Sequence, residues 1–263
     1  MEPLTPLPEP FAGWFARRGW QPRPHQLALV AAGAAGQSAL LVAPTGAGKT
    51  LAGFLPSLLE LGATGPRPAA LHTLYVSPLK ALTVDVARNL MAPVTEMALA
   101  LRIETRTGDT PPAKRQRQRA FPPDILLTTP EQVCLLAASE RASAFFADLK
   151  TVIIDEAHAL APTKRGDLLA LALERITTWA PGLRRVGLTA TVADPVALGT
   201  YVAGAGRPIT QVAARAGAAP EVEVLDTAAR IPWAGHTGRH AMDEVMAAIT
   251  QARTTLVFVN TRA

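Results

Sequence analysis

The stretch Ala43-Pro-Thr-Gly-Ala-Gly-Lys-Thr50 places a lysine and a threonine directly after two closely spaced glycines. Such glycines let the backbone turn so that successive N–H groups point inward at a phosphate chain. Thr45, Gly46, Ala47, Gly48, Lys49 and Thr50 are therefore expected to hold a nucleotide. Lys49 would reach the β- and γ-phosphates, and the Thr50 hydroxyl would bind Mg²⁺. Ala43 stands where the strict pattern has Gly, but a mere glycine-rich turn would leave Lys-Thr unexplained. A second group, Asp155-Glu-Ala-His158, supplies two adjacent carboxylates and an imidazole. Asp155 would hold Mg²⁺, and Glu156 would orient or deprotonate the attacking water. His158 is expected to relay hydrogen bonds towards Thr189 or Thr191. Gln26 lies about twenty residues before the loop, where its amide could read an adenine edge as donor and acceptor.

These residues need elements to hold them. Ser38-Ala-Leu-Leu-Val42 reads as a short buried strand, and Leu51 to Leu59 as the apolar start of a helix. Further strand–helix units follow, with strands at Leu71–Val76, Leu101–Arg106, Asp124–Thr128, Thr151–Ile154 and Arg185–Leu188. Strands alternating with helices predict an α/β fold with a doubly wound parallel sheet, and ligands at the carboxyl ends of its strands. Phe11, Trp14 and Phe15 suit one face of a short helix near the N-terminus. After residue 207 the chain turns rich in Gly, Ala and Pro, which reads as a linker over 208–220. Beyond it, strands are expected at Glu221–Leu225 and Thr255–Val259, flanking a helix from Ala241 to Ala252.

Hydrophobic content of 49% and charged content of 18% fit a folded globular protein, and no apolar run is long enough to span a membrane. The single cysteine, Cys134, excludes an internal disulfide and fits a reducing cytoplasm; its apolar neighbours favour a core thiol over a nucleophile. A net charge of +5 allows a polyanionic partner. The basic run Lys114-Arg-Gln-Arg-Gln-Arg119 by itself reads as a solvated helix face.

The order of motifs resembles that of superfamily 2 DEAD/DEAH-box helicases: Gln26, the loop ending in Lys49-Thr50, Ser77-Pro-Leu-Lys80, Thr107-Gly-Asp109, Thr128-Thr-Pro-Glu131, Asp155-Glu-Ala-His158 and Thr189-Ala-Thr191. The wording of Leu74 to Leu82, of Lys164-Arg-Gly166 and of Leu256 to Arg262 is similar to the large helicase-related (Lhr) branch, closest to the bacterial ligase-associated DEXH-box DNA helicase. The resemblance implies ATP and Mg²⁺ as cofactors, and 3′-to-5′ translocation on single-stranded DNA in DNA repair. It implies strand contacts at Ser77, Lys80, Thr107, Gly108, Thr128 and Thr129, and coupling between the two sites at Thr189 and Thr191. It also implies a DNA ligase and a nuclease as partners, whereas no residue decides DNA against RNA.

On this likeness residues 1–207 form a RecA-like ATP-binding domain, and 221–263 the incomplete start of a second RecA-like domain. No Gln-x-x-Gly-Arg-x-x-Arg segment follows, so the chain is expected to bind ATP but to hydrolyse it weakly and unwind negligibly. Two other readings use some of the same residues. One is a non-motor module that holds ATP and a strand; the other is a P-loop ATPase without nucleic acid, which leaves the Thr107, Thr128 and Thr189 motifs unexplained.

Overall fold

The computed structural model describes residues 7–65, 67–190, 192–214, 221–224 and 241–258. The chain divides into two compact units, Met1–Gly217 and Ala218–Ala263.

In the first unit, strands β1 (Ala39–Val42), β2 (Thr73–Val76), β3 (Ile103–Arg106), β4 (Ile125–Thr128), β5 (Thr151–Ile154), β6 (Arg184–Thr189) and β7 (Thr210–Ala213) alternate with helices. They form a seven-stranded sheet in the order β3-β4-β2-β5-β6-β1-β7. Every pairing is parallel. The central strands are short apolar runs because both faces of the sheet are covered, the usual condition of a parallel sheet.

Side-chain alternation along the strands divides the core. On one side, Leu41, Tyr75, Leu127, Ile153 and Leu188 pack with residues of α2 (Pro24–Ala34), α3 (Lys49–Ala63) and α4 (Lys80–Glu96), and with Phe11, Trp14 and Phe15 of α1 (Phe11–Arg17). On the other, Leu40, Leu74, Val76, Leu126, Val152 and Ile154 pack with α6 (Pro130–Ala137), α7 (Ala142–Phe146), α9 (Lys164–Trp179) and α10 (Pro195–Ala203). Two further helices, α5 (Pro112–Ala120) and α8 (Ala157–Leu160), follow β3 and β5.

The register sets the functional edge. Val76 pairs with Thr128 and Ile154, and Thr128 with Arg106, while Val42 pairs with Thr189. The polar segments that follow these strands therefore leave the sheet on one side.

The C-terminal part departs from the sequence expectation. Residues 210–213, expected inside a linker, form edge strand β7 beside β1. In the second unit α11 spans Met242–Gln251, but 221–224 and 255–258 form no strand. Val222, Val224, Leu256 and Phe258 are exposed. Alternating apolar residues make a strand only when a neighbour supplies the ladder and a packed face, and the described residues of this unit provide neither. Leu225, Val259 and Thr191 lie outside the described residues.

Candidate functional site

The loop between β1 and α3 turns on Gly46 (φ +79°) and Gly48 (φ +73°), both left-handed. Gly48 caps α3, and a Cβ there would come within 3.1 Å of Gln26 Nε2. The first N–H groups of α3 have no intrahelical acceptor, so the loop faces outward as a row of donors. Lys49 Nζ donates to the carbonyls of Ala43 (3.0 Å) and Pro44 (3.2 Å), which holds the ammonium at the mouth of this cradle. Thr45 and Gly46 are exposed, Gly48, Lys49 and Thr50 half-buried, and Ala47 buried. The N-terminus of α2 fastens the loop from behind: Arg23 donates to the Gly46 carbonyl (3.2 Å), and buried His25 meets the Ala47 carbonyl through Nε2 (2.9 Å). Sequence reading missed both residues, for nothing in Arg23-Pro-His25 shows which carbonyls they will face.

Gln26 is buried, and its Oε1 accepts the Arg23 N–H at 2.8 Å. The carbonyl thus closes the N-terminus of α2, and the Nε2 amide is the part turned to the loop. Beside it, Phe15, Trp20, Arg23, Gln26, Gly48 and Leu51 line a cleft of about 450 Å³. The half-exposed Trp20 ring stands edge-on to Trp14 at 5.8 Å, giving the cleft a rigid aromatic wall suited to a flat ring.

Asp155 follows β5 and is buried. Its Oδ1 accepts the Glu156 N–H (2.9 Å), and its Oδ2 accepts the hydroxyl of Tyr75 from β2. Burial, then the Asp155 charge, push the Tyr75 phenol far up from its ordinary pKa, so it is a neutral donor. Glu156 adopts φ +47° and ψ +45°, a left-handed conformation unusual for a residue with a side chain. That turn brings its Oε2 to 3.5 Å from His158 Nδ1. The same imidazole nitrogen lies 2.8 Å from Thr189 Oγ1 at the end of β6. His158 thus bridges the acidic pair and the β6 edge.

Thr50 and Asp155 are the side chains that could hold Mg²⁺. No group of three or more metal-binding side chains occurs among the described residues. A hydroxyl and one fixed carboxylate suit an ion that keeps waters and takes its remaining oxygens from phosphates, as Mg²⁺ does.

The strand-contact candidates separate into two sets. Lys80 and Gly108 are exposed and Thr107 half-buried, and Lys80 Nζ pairs with Asp109 at 3.0 Å across the β2–α4 and β3–α5 loops. Ser77 and Thr128 are fully buried and Thr129 nearly so. The Thr128 hydroxyl donates to the Arg106 carbonyl (2.8 Å), and Thr129 caps α6. Ser77, Thr128 and Thr129 thus sit inside the loops, whereas Lys80 and Gly108 are open to solvent. Sequence reading also gave no role to Arg165, which donates to the Pro78 carbonyl (2.9 Å) and pairs with Glu131 (2.5 Å), bracing the Lys80 loop. Cys134 is half-buried, with Sγ 3.5 Å from the Leu168 carbonyl. Burial raises its thiol pKa, the opposite of what a nucleophile needs.

Residues 23–198 match the DEAD/DEAH box helicase family. The Lhr helicase/probable uracil glycosylase of Mycolicibacterium smegmatis is 39% identical, over 83% of this chain and 15% of its own length. The ATP-dependent helicase Lhr-Core of Saccharolobus solfataricus is 33% identical, over 95% of this chain and 30% of its own. Among solved structures, Mycobacterium smegmatis helicase Lhr bound to ssDNA and AMP-PNP matches with a TM-score of 0.79 at 34% identity, over 100% of this chain and 35% of that one. The chain thus spans between 15% and 35% of these relatives.

Proposed function

The chain belongs to the DEAD/DEAH box helicase family, with its RecA-like α/β fold, and from that premise we propose that it is the ATP-binding motor domain of a DNA helicase. The observation that carries the reading is the convergence of the Gly46–Thr50 cradle, the Asp155–Glu156 pair and the Lys80–Gly108 loops on one edge of one sheet. The solved relative that matches over the whole chain binds ssDNA and AMP-PNP, in line with a nucleotide and a single strand as this domain's ligands.

In this reading the base enters the cleft beside Trp20 and Gln26, and the N–H groups around Gly48 take the phosphates. Lys49 leaves the Ala43 and Pro44 carbonyls for the β- and γ-phosphates, a stronger charge-assisted contact. Mg²⁺, held by Thr50 and Asp155, would neutralise developing charge on the phosphoryl oxygens. Glu156 orients and deprotonates the attacking water, and His158 carries the state of that carboxylate to Thr189. Lys80, Thr107 and Gly108 grip the phosphate backbone of single-stranded DNA without reading bases. Thr191 would share the coupling role. The first unit, with β7 as its edge strand, forms the ATP-binding domain, and 221–263 open a second RecA-like domain. The family likeness adds 3′-to-5′ translocation in DNA repair and a ligase and a nuclease as partners, and the single cysteine fits a reducing cytoplasm. Among the described residues no helix is long and apolar enough to cross a membrane.

Two variants test the nucleotide site. Lys49→Ala should abolish Mg-ATP binding with the fold intact, and Glu156→Gln should keep binding while stopping hydrolysis. Unchanged ATP titrations for Lys49→Ala would remove the basis of the reading.

A further inference from the structure

We propose that helix α5, lying over the buried Arg106 that closes β3, forms a phosphodiester-binding surface that carries the single strand onward from the Thr107–Thr110 loop. The inference rests on the strand-binding reading above and extends it to residues outside the family motifs.

Arg106 closes β3 and is fully buried, yet no carboxylate pairs with it among the described residues. Its partners are neutral: the Arg115 carbonyl (3.3 Å) and Gln132 Oε1 (3.4 Å). Burial, then Arg119 and Arg115, lower its pKa to about 10, so it is charged at neutral pH. A buried cation without a counter-ion is costly, and the neighbouring acids are already engaged. Lys80 pairs with Asp109, and Arg117 with Glu104. Arg106, Lys114, Arg115 and Arg119 are left without an acidic partner among the described residues.

Placement strengthens the case. Lys114 and Arg115 lie in the first turn of α5, which has no acidic residue, where the positive helix end disfavours cations. Arg115 is locked against the loop, donating to the Gly108 carbonyl at 2.5 Å and the Thr107 carbonyl at 3.4 Å. Arg119 stands one turn beyond it, so the row begins at exposed Gly108 and continues along the helix. A phosphodiester strand is the counter-charge that fits such a row, since its charges repeat at short intervals and need no particular base.

The test is fluorescence anisotropy of the 263-residue protein with a labelled oligothymidylate across a KCl series. The Lys114→Gln/Arg119→Gln double variant removes two charges, one on half-buried Lys114 and one on exposed Arg119, that no described hydrogen bond or ion pair uses. It should bind more weakly at low salt, with the slope of log K against log[KCl] smaller by about 1.4, at roughly 0.7 per phosphate no longer neutralised. Arg106→Gln should also weaken binding, Arg106→Lys should retain most of it, and all variants should titrate Mg-ATP like wild type. If wild type binds and the double variant matches it in affinity and slope, the surface is refuted while the strand-binding reading stands. If wild type fails to bind at low salt, that reading falls and this surface falls with it.

Discussion

Tyr75→Phe removes one hydroxyl at the centre of the site. The phenol is fully buried and donates to Asp155 Oδ2, while its ring stacks on Phe54 of α3 at 5.2 Å and 26°. Phenylalanine keeps the ring, its volume and the stack, so no cavity opens. What disappears is the donor to a buried carboxylate, which then keeps only the Glu156 N–H at Oδ1. Hydrogen bonds to charged groups contribute about 1.5–3 kcal/mol, and an orphaned buried acceptor lies in the same range. In a unit of 217 residues, with roughly 2–4 °C per kcal/mol, the melting temperature should fall by about 3–12 °C. Circular dichroism melting without nucleotide reads this directly. Because Asp155 also loses the group that fixes its carboxylate plane, more Mg²⁺ should be needed to reach half-maximal ATP binding, with metal-free binding unchanged. A melting temperature within about 1 °C of wild type, together with superposable Mg²⁺ titrations, would refute the positioning argument.

Acid sensitivity should be concentrated at the other edge of the sheet. Burial alone would raise the Glu60 carboxyl, but hydrogen bonds from His72 and Arg184 outweigh it and hold the pKa at about 2. With a folded pKa below the ordinary 4.5, this stabilisation is complete above pH 4.5 and is lost as pH falls towards 2. Urea melts across that window should show a flatter acid limb for Glu60→Gln, which at pH 7 should be the less stable protein because buried Arg184 loses its carboxylate. Gly166→Ala should be destabilising by about 1–3 kcal/mol, since a Cβ there would sit 2.1 Å from the Leu160 carbonyl oxygen; chemical denaturation checks it. His158→Ala should leave Mg-ATP affinity near wild type and reduce any strand stimulation of hydrolysis, because it cuts the link from Glu156 to Thr189. Steady-state ATPase with and without oligothymidylate reads that split.

The sequence by itself determined the local machinery. A buried apolar strand, two glycines able to take positive φ and a following Lys-Thr fix the cradle, because those constraints act between covalent neighbours. The acidic pair after Thr151–Ile154 was legible for the same reason, as was the α/β alternation that sends the segments following the strands to the carboxyl edge. Only the tertiary structure decided what depends on neighbours across space. Tyr75 and Asp155 meet because β2 lies beside β5 in the sheet order. Arg23 and His25 became loop supports because α2 packs behind Gly46 and Ala47. Ser77 and Thr128 read like surface hydroxyls, yet the closing loops bury them. Residues 210–213 became a strand because β1 offered a free edge, while the equally strand-like 221–224 and 255–258 did not pair. Residue pattern fixes which way a side chain can alternate, but a hydrogen bond, a buried charge or a ladder exists only when the fold brings its partner within reach.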